Sequence, residues 1–107
     1  MSSQILIDKI ALVTGGSRGI GKAIALELAS AGAHVIISYR SLVAEARHVV
    51  DEIRQKGRES AAYPLDVADH SQAKELIDNI LVGHKRLDIL VNNAGITRDG
   101  LLMRMSE

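Results

Sequence analysis

Residues 10–21 read IALVTGGSRGIG, and this stretch predicts the fold of the chain. The short apolar run Ile10–Val13 ends at a glycine-rich turn, as a buried parallel strand does. A helix is expected from about Gly19 to Gly32. Its apolar face would carry Ile20, Ile24, Leu28 and Ala31. A strand, a glycine turn and a helix in this order are typical of an alternating α/β fold.

The remainder of the chain continues this alternation. Further strands are predicted at residues 35–37, 61–65 and 87–91, the second being the weakest because it contains Pro64. A second helix is expected to end near Lys56, and a third to be capped by Asp69 or Ser71. Their apolar faces comprise Val43, Ala46, Val50, Ile53, Ala73, Ile77 and Ile80.

Strands that alternate with helices form a parallel sheet with helices on both faces, joined by right-handed crossovers. The expected spatial order of the strands is 3-2-1-4. We therefore predict a three-layer, Rossmann-like α/β fold that is incomplete, corresponding to the N-terminal half of a doubly wound domain. The fourth strand would then form an exposed apolar edge, which favours self-association.

Composition excludes several classes of function. The 107 residues hold 13 basic and 13 acidic side chains, so no net charge favours nucleic acid or an anionic membrane as partner. There is no cysteine, and the four histidines lack the spacing of metal ligands, so no metal site is expected. The start of the chain lacks the basic region of a signal peptide, and no apolar run reaches the ~20 residues of a membrane span. We expect a cytoplasmic location.

The glycine-rich turn is typical of a site for the pyrophosphate of a dinucleotide. Phosphate oxygens approach backbone N–H groups at a helix start, and side chains would block that approach. The alternative is a tight strand–helix connection without a ligand, but the turn lies between a predicted strand and a predicted helix, which favours binding. The candidate phosphate-binding residues are Gly15, Ser17, Arg18, Gly19, Ile20 and Gly21.

The end of the second strand indicates which dinucleotide is bound. An NAD site usually places Asp or Glu there to hold the ribose 2′-hydroxyl. Residues 38–41 read SYRS and contain no acid, whereas Arg40 and Arg18 would attract a 2′-phosphate. We predict NADP(H) as the cofactor; the alternative for Arg40 is a solvated residue ahead of the second helix.

Three motifs in order resemble those of the short-chain dehydrogenase/reductase family. Thr14–Gly21 has the spacing Thr-Gly-x-x-x-Gly-x-Gly, Asp66-Val67 matches the family's adenine-side pair, and residues 92–95 read NNAG. The longer run at 92–105, NNAGITRDGLLMRM, closely resembles the 3-oxoacyl-[acyl-carrier-protein] reductases of fatty-acid synthesis. The resemblance covers the whole chain apart from its first few residues.

The resemblance implies further cofactor contacts. Asp66 would accept from the adenine amino group, with the Val67 backbone beside the ring; a turn or capping role is the alternative for Asp66. The ribose and nicotinamide side would be lined by Asn92, Ala94 and Gly95. Thr14 and Asn93 are interpreted as structural residues that order the turn and tie neighbouring strands together.

The family's proton donor, the tyrosine of a Tyr-x-x-x-Lys pair, is absent from these residues. Tyr39 is followed four positions later by Val43, and Tyr63 by Val67. No catalytic residue is therefore predicted. Residues 1–107 are expected to be one NADP-binding Rossmann half-domain of a truncated enzyme, inactive alone.

In the complete protein, the resemblance implies NADPH-dependent reduction of a 3-oxoacyl thioester to the 3-hydroxyacyl form, with a carrier-protein-linked substrate. Arg98 and Arg104 are either ordinary surface charges or residues that receive the acidic carrier protein. A homo-oligomer is expected. The alternatives are a short-chain dehydrogenase acting on another ketone or alcohol, a non-catalytic NADP-binding or self-associating module, and an inert product.

Overall fold

The computed structural model describes residues 5–66 and 68–93 of the chain. Four strands, β1 (Ile10–Val13), β2 (His34–Tyr39), β3 (Ser60–Pro64) and β4 (Ile89–Val91), alternate with the helices α1 (Gly19–Ser30), α2 (Val43–Gln55) and α3 (His70–His84). The sheet has the order β3-β2-β1-β4, with every neighbouring pair parallel. The predicted fold class and strand order are confirmed.

One face of the sheet packs against α1 and α2. The strands contribute Val13, Val35 and Ile37 to this core, all without solvent exposure. From α1 the buried residues are Gly21, Ala25 and Ala29, and from α2 they are Ala46, Val49, Val50 and Ile53. The core is thus aliphatic, as expected of a chain with only two aromatic residues.

The buried face of α1 differs from the one predicted. Ile20 is 66% exposed, and Ile24 and Leu28 are only partly buried. The stripe that meets the sheet is the one with the smallest side chains, Gly21, Ala25 and Ala29. Small residues bring the helix close to the strands, so that the larger apolar side chains lie at the flanks of the contact.

The opposite face of the sheet packs against α3. Its core comprises Ile10, Leu12, Ile36, Leu65, Leu76 and Ile80. Successive residues of a strand point to opposite faces, so Leu12 and Ile36 lie under α3 while Val13 and Ile37 lie under α1 and α2. The two cores and the sheet between them make the three predicted layers.

The fourth strand begins two residues later than predicted. Its regular pairing with β1 starts after Asp88, whose side chain accepts a hydrogen bond from the backbone of Ile10. The Ile10 N–H donates to the Asp88 carboxylate at 2.9 Å, and the Asp88 N–H donates to the Ile10 carbonyl at 2.9 Å. The Arg86 guanidinium also binds this carboxylate, at 2.7–3.0 Å. The hydrogen bonds from Arg86 lower the pKa of Asp88 below its ordinary value of 3.8. Strand pairing then begins at Ala11 opposite Ile89.

Of the two residues predicted to cap α3, Asp69 is the one that does so in the structure. The Asp69 side chain accepts hydrogen bonds from the N–H groups of Ser71 and Gln72, at 2.9 and 3.2 Å. These donors would otherwise lack partners in the first turn. Of the helices in the described part of the chain, none has the length and apolar character to cross a membrane.

Candidate cofactor site

The carboxyl ends of β1 and β2 and the residues after β4 meet at one edge of the sheet. In doubly wound folds this edge, where the strand order reverses, is where ligands bind. A cleft of about 400 Å³ lies here. The described residues that line it are Gly15, Ser17, Arg18, Gly19, Arg40, Ser41, Leu42 and Asn93. Five of the predicted cofactor-binding residues are among them, and Ile20 and Gly21 follow in the first turn of α1.

The predicted glycines of the turn are required for two different reasons. Gly15 and Gly19 have φ angles of 66° and 61°, in the left-handed region that L side chains rarely adopt. Gly21 has no such angle, but a Cβ atom there would overlap the Gly15 carbonyl oxygen and lie 2.6 Å from Asn93 Nδ2. The turn therefore closes tightly onto the start of α1.

Gly16 is a further required glycine, which the sequence reasoning missed. A Cβ atom at this position would lie 2.7 Å from the Cγ2 atom of Ile37, which is fully buried. The spacing motif treats this position as variable, so it carries no signal. Only the fold brings β2 beneath the turn.

Residues after β4 support the turn from one side. The Thr14 N–H donates to the Val91 carbonyl at 3.0 Å, and the Thr14 hydroxyl lies 3.3 Å from Asn92 Oδ1. The Asn93 side-chain amide donates to the Gly15 carbonyl at 3.1 Å. These contacts agree with the structural roles that the sequence predicts for Thr14 and Asn93.

Ser38, at the end of β2, supports the turn from the other side. Its hydroxyl accepts the Gly15 N–H at 3.3 Å, and its carbonyl accepts the Gly16 N–H at 3.1 Å. The residue is 1% exposed. Ser38 was not predicted as a site residue, since a serine within an apolar strand carries no sequence signal for this contact.

Among the described residues, the start of α1 offers backbone hydrogen-bond donors to a ligand. The Lys22 N–H donates to the Arg18 carbonyl at 3.2 Å, so the N–H groups of Gly19, Ile20 and Gly21 precede the first intrahelical bond. They lie at the positive end of the α1 dipole. These donors and the cation of Arg18 are suited to bind a pyrophosphate.

The two arginines of the cleft are exposed, and within residues 5–66 and 68–93 neither guanidinium forms an ion pair or a hydrogen bond. No Asp or Glu is present among the described residues that line the cleft. The donor set of Arg18, Arg40 and the helix start thus fits an anionic dinucleotide. It also fits a 2′-phosphate, since no carboxylate there would repel one.

Asp66, which the sequence predicts as an adenine contact, has a structural contact of its own. Its Oδ1 atom accepts the Ala68 N–H at 3.0 Å, and its N–H donates to Gln72 Oε1 at 3.1 Å. Asp66 therefore shapes the turn after β3, while its Oδ2 atom makes no hydrogen bond to the residues that the structure describes. The neighbouring Leu65, together with Asn92, lines a second cleft of about 240 Å³.

Several predicted residues lie outside the described part of the chain: Val67, Ala94, Gly95, Arg98 and Arg104. Within the described part, no three His, Asp or Glu side chains are grouped so that they could hold a metal ion.

Comparison with known proteins shows the family of the chain. Residues 9–107 match the short chain dehydrogenase family. The chain is 52% identical over 101 residues to 3-oxoacyl-[acyl-carrier-protein] reductase FabG of Staphylococcus aureus, covering 94% of this chain and 41% of that protein. The chain thus spans about two fifths of the length of this relative.

Solved structures agree. A short chain dehydrogenase from Burkholderia cenocepacia, in complex with NADP, superposes with a TM-score of 0.82 at 48% identity, over 87% of this chain and 38% of that one. A blue fluorescent protein from a metagenomic library, in complex with NADPH, gives a TM-score of 0.79 at 43% identity, over 85% and 38%. From its glycine turn, its strand order and its match over residues 9–107, this chain belongs to the short-chain dehydrogenase family.

Proposed function

We propose that residues 1–107 act as one NADP-binding unit of Rossmann type, and that this unit serves a 3-oxoacyl-[acyl-carrier-protein] reductase. The observation that carries the proposal is the cleft at the carboxyl edge of the sheet. It combines a helix start with Arg18 and Arg40, and its described lining contains no acid. The complexes of related proteins with NADP and NADPH support the same cofactor.

Each part of the site has a proposed task in binding. The N–H groups of the first turn of α1, with Ser17 and Arg18, hold the pyrophosphate. Arg40 pairs with the 2′-phosphate, and Asp66 accepts from the adenine amino group through its second carboxylate oxygen. We propose that Val67, Asn92, Ala94 and Gly95 complete the contacts to adenine, ribose and nicotinamide. When bound, NADP(H) supplies the hydride for reduction of a carbonyl group.

The proposed substrate is a 3-oxoacyl thioester carried by acyl carrier protein, reduced to the 3-hydroxyacyl form in the cytoplasm. The relative of this name, 52% identical over 101 residues, supports the proposal. Such a reduction also needs a proton donor for the nascent alkoxide. Residues 1–107 contain no Tyr-x-x-x-Lys pair, so they are expected to bind the cofactor and not to reduce the thioester by themselves.

Calorimetric titration of the 107-residue chain with NADPH and with NADH tests the proposal. We expect saturable binding with a clear preference for NADPH, because only NADPH carries the phosphate that Arg40 would meet. An equal affinity for the two, or a preference for NADH, would contradict the assigned role of Arg40. Absence of binding to either would overturn the cofactor role.

A second candidate function, self-association, is favoured by the outer side of β4, the last strand in the sheet order. Among the described residues, β4 pairs only with β1, and its Ile89 and Leu90 are partly exposed. A second copy of the chain pairing at this edge would extend the sheet and bury these side chains. The mass of the chain in solution, measured over a range of concentrations, tests this candidate; a monomer throughout would rule it out.

A further inference from the structure

We propose that Ser38 is a positioning residue for the dinucleotide: it holds the glycine turn so that the donors of α1 face the cleft. The inference rests on the proposed cofactor function and assigns a task to a residue that no sequence motif identifies. Ser38 does not line the cleft, so its action on a ligand is indirect.

Ser38 lies where the sheet meets the glycine turn. The ladder between β1 and β2 ends with Val13 opposite Ile37. Ser38 is the next residue of β2, and its carbonyl accepts the Gly16 N–H at 3.1 Å. This bond extends the pairing of the two strands into the turn, which is then fixed relative to the sheet.

The buried hydroxyl of Ser38 accepts a hydrogen bond from the turn. Ser38 is 1% exposed, and its Oγ atom accepts the Gly15 N–H at 3.3 Å. Gly15 adopts a φ of 66°, a conformation that glycine visits freely and that needs an external contact to be selected. With Asn93 binding the Gly15 carbonyl at 3.1 Å, both polar groups of this residue are held.

Ser38 also engages two backbone donors of the turn. Because Ser38 binds the N–H groups of Gly15 and Gly16, these two cannot serve a phosphate. The N–H groups further along, at the start of α1, are the ones presented to the cleft. Ser38 therefore decides which N–H groups are presented to a ligand, although it does not touch the ligand.

Both NADPH and NADH carry a pyrophosphate, so loss of the Ser38 hydroxyl is expected to weaken the two cofactors equally. This distinguishes Ser38 from Arg40, whose loss is expected to weaken NADPH alone. Loss of a residue that only stabilises the fold would lower the unfolding temperature and leave the affinities of the folded chain for both cofactors unchanged.

The test compares Ser38→Thr with Ser38→Val, two variants of closely similar shape, of which only the first retains the hydroxyl. We expect the Val variant to bind NADPH and NADH about ten-fold more weakly than the Thr variant, the change that a lost hydrogen bond with an unpaired buried donor produces. The ratio of the two affinities should stay as in the unmodified chain. Equal affinities in the Thr and Val variants would overturn the proposal.

If the unmodified chain binds neither cofactor, the proposed function is overturned. Amide hydrogen exchange at Gly15 then still tests whether the Ser38 hydroxyl holds the turn. We expect Gly15 to exchange faster in the Val variant than in the Thr variant, with Val35 in the core of β2 exchanging at equal rates. Equal exchange at Gly15 would show that the hydroxyl does not hold the turn.

Discussion

A Cβ atom on Gly16 would lie 2.7 Å from Cγ2 of Ile37, so the glycine turn leaves no room for a side chain at this position above the hydrophobic core. Ile37 is fully buried, and neighbours on α1 and α2 surround it. Protein interiors are packed too densely for such a side chain to move aside freely. The residue at position 16 is therefore restricted by the hydrophobic core.

Gly16→Ala is expected to lower the free energy of unfolding by about 1–3 kcal/mol, the usual cost of an overpacked core. Urea denaturation measures the effect. Gly83→Ala is the matched control, because Gly83 lies within α3 and, apart from its own stretch of helix, no atom of the described residues lies within 4 Å of an added Cβ. This change should be neutral or slightly stabilising.

The origin of that cost can be tested in two backgrounds. Ile37→Ala removes the Cγ2 methyl, whereas Ile37→Val retains it. Gly16→Ala should therefore cost less when combined with Ile37→Ala than when combined with Ile37→Val. The same cost in both double variants would contradict a steric conflict with this methyl.

Arg40→Ala is expected to weaken NADPH about ten-fold and to leave NADH unchanged, because a charge-assisted hydrogen bond to the 2′-phosphate is lost. Calorimetry at fixed ionic strength measures both affinities. Arg47→Ala, which removes an equal charge from an exposed position of α2, should change neither affinity. A parallel loss for the two cofactors would mean that Arg40 does not bind the phosphate.

The ion pair between Arg86 and Asp88 is expected to make the free energy of unfolding decrease at acid pH. Hydrogen bonds from Arg86 depress the pKa of Asp88 in the folded chain below 3.8. The carboxylate therefore stabilises the fold above its unfolded pKa, and this contribution is lost as the pH falls through the lower, folded value. Asp88→Asn should flatten the decline of stability below about pH 4.

Urea denaturation at a series of pH values from neutral to acid measures this slope. Asp51→Asn is the control, since Asp51 is exposed on α2 and takes no part in the hydrogen bonds that join Asp88 to Arg86 and Ile10. If Asp88→Asn has the same acid slope as the unmodified chain, the pair does not contribute to the pH dependence of folding.

Asp69→Ala is expected to lower the free energy of unfolding by about 1 kcal/mol, because the first turn of α3 loses its cap. Asp69→Ser retains a capping oxygen and should lose less. Urea denaturation compares the variants with the unmodified chain. The affinity for NADPH should remain unchanged, since Asp69 does not line the cleft; an altered affinity would tie this cap to the site.

The parts of the structure that are local in sequence could be predicted, and the parts that join distant segments could not. The glycine spacing indicates the turn, and the alternation of apolar runs indicates the sheet order. By contrast, the contacts of Gly16 with Ile37 and of Ser38 with Gly15 join residues more than 20 positions apart, one in the turn after β1 and the other on β2. No periodicity within one segment contains that information.

The buried face of α1 was predicted wrongly for the same reason: it depends on contacts with a distant part of the chain. Hydropathy predicts that the isoleucine and leucine stripe of α1 is buried. In the structure the side with Gly21 and Ala25 packs against the sheet instead, because the helix starts so close to the turn. Close backbone approach outweighs the area buried by a larger side chain. Ile20 is left 66% exposed as a result.

The two-sided support of the glycine turn has a consequence for strand register. In β2, Val35, Ile36 and Ile37 are all buried, so apolar burial alone does not penalise a slip by one residue. Such a slip would turn the Ser38 side chain to the opposite face of the sheet and away from Gly15. The polar contacts at the strand ends therefore select one alignment among several of similar hydrophobicity, and a chain that binds the dinucleotide is one whose strands are correctly aligned.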